Sequence, residues 1–115
     1  MNILEKIIAH KKQEVAQLKN EVMVEKLVKS PSFQRTPISL KKALTEPFST
    51  GIIAEFKRQS PSKGIINDKA SIVEVTQGYV EAKAAAQSIL TDTKFFGGNI
   101  VDIMQARSVN ETTPI

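Results

Sequence analysis

An acidic and a basic side chain stand two residues apart in a short apolar run. Glu55 and Lys57 lie in GIIAEFK, residues 51–57, whose β-branched composition predicts a strand. Because side chains alternate between the faces of a strand, these two project from one face near its carboxyl end. A carboxylate beside an ammonium group suits acid–base chemistry on a substrate. The same arrangement suits a mutual ion pair at a solvated strand end, and the strand alone leaves both readings open.

A loop able to receive an anion follows directly. Its sequence SPSKG, residues 60–64, offers hydroxyls, backbone N–H groups and a lysine, all of which bind carboxylates or phosphates. Clusters of serine, proline and glycine are also ordinary turn sequences. The position of this cluster just after Glu55 and Lys57 favours a binding role.

A second polar loop carries two adjacent aromatic residues. The sequence TDTKFFGG, residues 91–98, places Phe95 and Phe96 before two glycines. Neighbouring side chains do not face one core, so one ring can pack inward while the other covers a ligand. Core packing of both rings is the alternative. The glycines permit a sharp turn or a close approach of the backbone to a substrate.

Regular elements must bring these loops to one edge. A helix is predicted from Ser71, where Ser71 and Glu74 match a capping box, and the next strand is predicted at residues 86–91. Asn99 is predicted to cap a last helix, with Asp102 favourably near its positive end. Alternating strands and helices with short connections predict parallel pairing in an α/β sheet or barrel, with both loops at the carboxyl edge.

Residues 1–47 are predicted to form a helical extension and residues 48–115 the α/β part. An amphipathic helix is predicted over residues 3–22, because its apolar residues fall within one arc at about 100° per residue. These residues are Ile3, Leu4, Ile7, Ile8, Val15, Leu18 and Val22. Lys11 lies within this stripe, where it either extends to solvent or reaches a carboxylate.

Two shorter helices complete the predicted extension. One covers residues 23–29 and ends before Ser30 and Pro31. The other begins at an N-cap, Ser39, and stops before Pro47.

Composition describes an ordinary folded chain. Of 115 residues, 41% are hydrophobic and 24% charged, which fits one soluble domain rather than a disordered or membrane-spanning protein. With no cysteine and one histidine, His10, we expect no disulfide and no metal centre. The net charge of +4 selects no partner, and no motif that reads nucleic acid is present. We expect a cytoplasmic protein with neither a membrane nor a nucleic-acid partner.

The segments ILEKIIAHKKQEV, IAEFKRQSPSKG and SILTDTKFFGG together resemble the first third to half of indole-3-glycerol-phosphate synthases. The resemblance spans nearly the whole chain and implies a (β/α)8 TIM barrel with a helical N-terminal segment over the catalytic mouth. The chain would hold that extension and the first two β/α units. The activity implied is that of a lyase of tryptophan biosynthesis. It decarboxylates and dehydrates 1-(2-carboxyphenylamino)-1-deoxyribulose 5-phosphate during ring closure, without a cofactor.

The resemblance also implies roles for individual residues. Lys57 and Glu55 match the family's paired lysine and glutamate. Lys57 would pair with the substrate carboxylate or transfer protons, and Glu55 would orient and polarise its partners. Ser60 matches a serine near the anthranilate carboxylate, and Phe96 matches an aromatic residue lining the pocket around the ring.

Two features depart from the family pattern. Lys83 replaces a usual glycine, so either the lysine adopts a costly left-handed conformation or the helix continues into residues 84–86. Beyond the dipeptide at residues 114–115, a candidate start of a third strand, the family continues with a general-acid lysine and phosphate-binding loops. We therefore expect a fragment that is inactive alone and whose open strand edges are covered by self-association, rearranged helical packing or a complementary C-terminal fragment. A noncatalytic half-barrel that serves binding or assembly is the alternative.

Overall fold

Residues Met1–Thr36 form the first of two compact units. The computed structural model describes all 115 residues. The helices of this unit are α1 (Ile3–Glu21), α2 (Val24–Val28) and a 3-10 helix (Pro31–Gln34). A reciprocal cap begins α1, because the Asn2 side chain accepts from the Glu5 N–H and the Glu5 carboxylate accepts from the Asn2 N–H, both at 2.9 Å. The two helices predicted over residues 3–29 are confirmed.

The apolar stripe of α1 is largely exposed within this structure. No residue of α1 is buried, and Leu4 is 61% exposed. Lys11 reaches a carboxylate, the second of the two predicted alternatives, since its ammonium group lies 2.9 Å from the Glu14 side chain. The His10 ring lies 3.5 Å from the same carboxylate. No helix of the chain combines the length and apolarity needed to cross a bilayer.

Residues Pro37–Ile115 form the second unit, which is built on a parallel pair of strands. Its elements are α3 (Leu40–Thr45), β1 (Ile53–Phe56), β2 (Gln59–Ser60), β3 (Gly64–Ile65), α4 (Ile72–Glu81), β4 (Ala86–Ile89), α5 (Thr93–Phe96) and α6 (Ile100–Ser108). In the β1–β4 pair, Ile53 lies opposite Ala86 and Glu55 opposite Ser88. The predicted α/β class, parallel pairing and helix–strand order are therefore confirmed. The sheet has two parallel strands and does not close into a barrel.

The core of this unit lies between the strands and two helices. Phe56, Ile72 and Ala106 are buried together, from β1, α4 and α6 respectively. Ile115 packs against the same cluster. The Gln87 N–H donates to the Pro114 carbonyl at 2.9 Å, so the chain at residues 114–115 lies beside β4 where a third parallel strand was expected to begin.

Helix ends follow the sequence closely. Ser71 accepts from the Glu74 N–H at 3.2 Å, which is half of the predicted capping box. At Asn99 the reciprocal box is complete, with Asp102 as its acidic partner. Lys83 has φ 66°, and α4 ends at Glu81, so the left-handed alternative holds and continuation of the helix into residues 84–86 is wrong. The Lys83 carbonyl accepts a hydrogen bond from the Thr50 hydroxyl at 2.7 Å, which helps to hold this turn.

Two elements lie inside segments that were predicted as irregular loops. β2 and β3 form a small antiparallel hairpin within residues 58–70, and α5 is a single helical turn within residues 91–98. Both predicted strands are also shorter than the apolar runs that indicated them. Such short elements give no periodic signal, because their position is decided by hydrogen bonds to neighbouring segments.

The helix α3 belongs with the strands. The contact boundary lies between Thr36 and Pro37, whereas the sequence placed the division after residue 47. The reason is that α3 contacts β4, and Leu40 lines a cavity with residues along the whole of β4, from Ala86 to Ile89. That the extension covers the catalytic edge stays a prediction.

The close turn after α5 requires glycine at position 98. The Gly98 N–H donates to the Asp92 carbonyl at 2.8 Å, and its carbonyl accepts from the Thr93 hydroxyl at 2.8 Å. A Cβ atom on Gly98 would overlap the Leu90 carbonyl oxygen. We expect Gly98→Ala to lower the free energy of unfolding by about 3 kcal/mol, measured by urea denaturation of the full-length protein.

The control is Gly78→Ala, within α4. A Cβ atom there meets nothing within 4 Å, and its backbone is helical. Alanine should stabilise the helix by up to about 1 kcal/mol. Equal stability of the two variants would contradict the proposed backbone clash.

Candidate active site

Glu55 lies near the carboxyl end of β1 with its side chain exposed. Its carboxylate accepts a hydrogen bond from the Ser88 hydroxyl at 2.7 Å, from the residue opposite it on β4. The Tyr79 hydroxyl donates to the Glu55 backbone carbonyl at 3.1 Å. The carboxylate is therefore oriented by a neutral donor and stays accessible to a bound molecule.

Lys57 follows β1 directly and is also exposed. Phe56, between Glu55 and Lys57, is only 4% exposed, as expected when alternate side chains face opposite sides. Glu55 and Lys57 do not pair with each other, so the mutual ion pair considered from the sequence is wrong. An acid and a base thus stand at one strand end without neutralising each other.

Ser60 lies in the hairpin that follows Lys57. It is 7% exposed, and its hydroxyl oxygen accepts from the Lys63 N–H at 3.2 Å and lies 3.4 Å from the Ser62 hydroxyl oxygen. Gly64, with φ 64°, completes the turn. The turn reading of this segment is therefore correct, and it gathers two hydroxyls and one backbone N–H at a single point.

Phe96 ends the helical turn α5 and is half-buried, as is Phe95. Neither ring is fully buried, so complete core packing of both is wrong. The ammonium group of Lys94 lies 5.5 Å from the centre of the Phe95 ring, so this ring makes a cation–π contact within its own helical turn. α5 contacts β2, so Phe96 and Ser60 belong to neighbouring elements.

A charged pair that the sequence did not reveal joins the segment after β1 to the first turn of α6. The Arg58 guanidinium binds the Asp102 carboxylate through two hydrogen bonds, of 2.5 and 3.1 Å. The two side chains are only 19% and 8% exposed. The hydrogen bond with Asp102 raises the pKa of Arg58 above its ordinary value, so the guanidinium stays charged throughout the working pH range. The sequence had predicted for Asp102 only a favourable place near the positive end of the last helix, and the two positions are too distant in sequence for any periodic signal.

Arg58 also holds the backbone beside Lys57. Its carbonyl accepts from the Ile66 and Asn67 N–H groups at 2.8 and 3.0 Å, which close the hairpin segment back onto the strand end. Its guanidinium lies 4.8 Å from the centre of the Phe56 ring, within cation–π distance. The residue after the candidate catalytic lysine is therefore fixed by its side chain and by its backbone.

All four residues singled out from the sequence lie at the carboxyl ends of β1 and β4 or in the segments that follow them. The Leu90 N–H donates to the Phe56 carbonyl at 3.2 Å, which keeps the two strand ends side by side where the loops begin. This is the edge at which parallel α/β proteins place their reactive groups. Of these residues, the structure brings Glu55 into contact with Ser88. The other three lie on separate segments at that edge: Lys57 after β1, Ser60 in β2 and Phe96 in α5.

Comparison with known proteins identifies the family. Residues 4–115 match the family model described as indole-3-glycerol phosphate synthase. The chain belongs to the indole-3-glycerol phosphate synthase family. This confirms the resemblance that was carried by its two loop sequences and its leading helix.

Named relatives agree with this assignment. An indole-3-glycerol phosphate synthase of Bacteroides thetaiotaomicron is 47% identical over 92% of this chain and 40% of its own length. That of Opitutus terrae is 44% identical over 84% of the chain and 37% of its own length. A chloroplastic indole-3-glycerol phosphate synthase of Arabidopsis thaliana is 33% identical over 99% of the chain and 29% of its own length. The chain thus spans about two fifths or less of these synthases.

The pair of Arg58 and Asp102 predicts strong coupling. Arg58→Met or Asp102→Asn should each lower the free energy of unfolding by about 3 kcal/mol, because either change leaves a largely buried charge without its partner. The free energy of unfolding of the double variant should fall by less than the sum of the two single losses. A double-mutant cycle should give a coupling energy of about 1–3 kcal/mol. Urea denaturation of the full-length protein measures all four free energies.

Arg58→Lys is the matched control. It keeps the charge but not the two-pronged geometry, so it should recover only part of the lost stability. Additive single effects, with no coupling, would show that the two side chains do not depend on each other.

Proposed function

We propose that the protein carrying this chain is an indole-3-glycerol phosphate synthase. Its substrate would be 1-(2-carboxyphenylamino)-1-deoxyribulose 5-phosphate, which loses carbon dioxide and water as the pyrrole ring of indole closes. One observation carries the proposal. In a chain of this family, Glu55 and Lys57 stand unneutralised by each other at the carboxyl end of β1, with the Ser60 hairpin and Phe96 on adjoining elements.

Lys57 is proposed as the cationic group of the reaction. Ring closure needs a proton donor at the sugar carbonyl or its later hydroxyl, and an acceptor for the proton released when the ring becomes aromatic again. An exposed ammonium group that is not paired with Glu55 is able to bind the substrate carboxylate or to transfer a proton. The neighbouring pair of Arg58 and Asp102 fixes the backbone from which Lys57 extends.

Glu55 is proposed to orient and polarise its partners. Its carboxylate is held by the Ser88 hydroxyl at 2.7 Å, a neutral contact that leaves its negative charge uncompensated. A carboxylate in this state attracts a cationic or protonated group on the reacting molecule. Proton transfers of this kind use side chains alone, and the proposed reaction requires neither a metal ion nor an organic cofactor.

Ser60 and Phe96 are proposed as binding residues. The Ser60 and Ser62 hydroxyls lie side by side in one turn, where the Lys63 N–H donates to the Ser60 oxygen and leaves hydroxyl hydrogens to bind the anthranilate carboxylate. The half-buried ring of Phe96, next to that turn, suits the aromatic part of the substrate.

The remainder of the site is proposed to come from further β/α units of a closed (β/α)8 barrel. Such a barrel takes about 250 residues, and the chain spans 40% of the Bacteroides relative. The open edges of the two-stranded sheet are the positions where neighbouring strands would pair. A noncatalytic half-barrel would use the same edges for assembly, but it would have no need of reactive groups at the strand ends.

Substitution of the candidate acid–base pair tests the proposal. In the full-length protein, Glu55→Gln and Lys57→Ala should each lower kcat by about 10²-fold to 10⁴-fold, because each removes a charged group from the reacting centre. Steady-state formation of indole-3-glycerol phosphate, followed by its indole fluorescence, gives kcat and KM.

An exposed residue away from this edge serves as the control. Glu81→Gln at the end of α4 makes the same change of charge as Glu55→Gln. It should leave kcat within about twofold of the unsubstituted enzyme, since Glu81 lies at the far end of α4 from the proposed site. Turnover that survives both Glu55→Gln and Lys57→Ala would reject the assigned roles.

A polypeptide of residues 1–115 tests how much of the site this part supplies. We expect it to show no turnover alone, and to regain turnover when mixed with a polypeptide holding the remaining β/α units. Size-exclusion chromatography with light scattering should show that the isolated piece self-associates through its open strand edges. A dilution-resistant, well-folded monomer would contradict that expectation, and full activity of the piece alone would contradict the proposed barrel.

A further inference from the structure

The carboxylate of Glu55 leans toward the neighbouring strand. It accepts a hydrogen bond of 2.7 Å from the hydroxyl of Ser88, the residue opposite Glu55 on β4. Neighbouring strands lie about 4.8 Å apart, and a serine hydroxyl stays close to its own backbone. The longer glutamate side chain therefore spans most of the distance between the strands, and its carboxylate is drawn toward β4.

Lys57 is a second group within reach of the same carboxylate. Side chains two positions apart in a strand share a face and begin about 6.6 Å apart, a separation that glutamate and lysine are long enough to bridge. Opposite charges at this spacing attract each other. The Glu55 carboxylate nevertheless binds the Ser88 hydroxyl and not the Lys57 ammonium group. The hydroxyl of Ser88 thus takes the place that Lys57 would otherwise fill.

Strand pairing does not require a hydroxyl at position 88. On the same face, one step earlier along the two strands, Ile53 pairs with Ala86, and both side chains are apolar. Ala86 shows that this face of β4 accepts a small side chain without a hydroxyl. Within residues 1–115, the Ser88 hydroxyl makes one hydrogen bond, and its partner is the Glu55 carboxylate. The hydroxyl therefore serves Glu55 rather than the sheet.

A neutral donor suits an acid that stands beside a base. The Ser88 hydroxyl fixes the Glu55 carboxylate without cancelling its charge, whereas an ion pair with Lys57 would occupy both reactive groups together. Glutamate is among the side chains with the most rotamer freedom, so an unheld Glu55 carboxylate would sample several positions. Position matters for rate, because a displacement of about 1 Å at a reacting centre costs up to about 10²-fold.

We propose that Ser88 is a positioning residue of the active site. It holds the Glu55 carboxylate beside β4 and keeps it out of an ion pair with Lys57. Ser88 acts through Glu55 and has no role of its own on the substrate. The inference rests on the proposed function, because it takes Glu55 and Lys57 as the reacting groups.

Steady-state kinetics of the full-length protein test this role. Ser88→Ala should lower kcat by about 10-fold to 10²-fold, because the carboxylate is no longer held in place. Ser88→Thr keeps the hydroxyl on a residue that suits a strand, so its kcat should stay within about threefold of the unsubstituted enzyme. The control is Ser108→Ala, which removes a hydroxyl that donates to the Gln105 carbonyl at the end of α6 and should leave kcat unchanged.

A double variant separates action through Glu55 from a general effect on the fold. In the Glu55→Gln background no carboxylate remains to pair with Lys57, so adding Ser88→Ala should lower kcat by no more than about a further twofold. An equal loss from Ser88→Ala in both backgrounds would overturn the proposal, because Ser88 would then act on some other group.

A crystal structure of the full-length Ser88→Ala variant gives a readout that does not depend on turnover. The Glu55 carboxylate should leave β4 and lie within about 4 Å of the Lys57 ammonium group, the distance of an ion pair. A carboxylate that keeps its place over β4 would sink the proposal. So would an undiminished kcat of Ser88→Ala in an enzyme that Glu55→Gln impairs. Failure of the proposed reaction has a different sign, which is full turnover of Glu55→Gln itself.

Discussion

The two-pronged pair of Arg58 and Asp102 links the parts of the second unit that matter for function. Arg58 directly follows the candidate catalytic lysine at the end of β1, and Asp102 lies in the first turn of α6. One carboxylate oxygen of Asp102 also accepts from the Asn99 N–H at 3.3 Å, so the same group caps the helix and holds the arginine. Because both side chains are largely shielded from water, their attraction is weakly screened. The orientation of the loop that carries the site therefore depends on a helix far away in sequence.

The two edges of the sheet differ in how they are built. At the carboxyl edge, polar side chains are oriented by neutral hydrogen bonds, as Ser88 orients Glu55, and their charges remain exposed. At the amino-terminal edge, the left-handed residues Phe48 and Lys83 and the end of α3 border a recess. This is the division expected of parallel α/β folds, in which the loops after strands carry chemistry and the opposite edge carries stability. Phe48 is the exception at the second edge, because its φ of 67° is unfavourable for a residue that has a Cβ atom.

The parallel sheet also shows how far residues 1–115 bury their own apolar surface. Ile53 on β1 is 49% exposed, although its neighbours in the strand run are apolar. Parallel strands are normally covered on both faces. Phe56 and Gln87, on the face that meets the helices, are almost fully buried by contrast. One face of the β1–β4 pair is thus covered by helices, and the other leaves Ile53 and Glu55 exposed.

Sequence by itself determined the order and type of the main elements and the identity of the candidate site residues. The alternation in residues 51–57 predicted that Glu55 and Lys57 share a face, and the caps at Ser39, Ser71 and Asn99 predicted three helix starts, because these signals depend on local backbone geometry. Only the tertiary structure decided that the acid and base do not pair, and that Arg58 binds Asp102. It also decided that α3 joins the strands rather than the leading helices. These outcomes depend on groups distant in the chain, whose distances are set by packing and leave no pattern in the sequence.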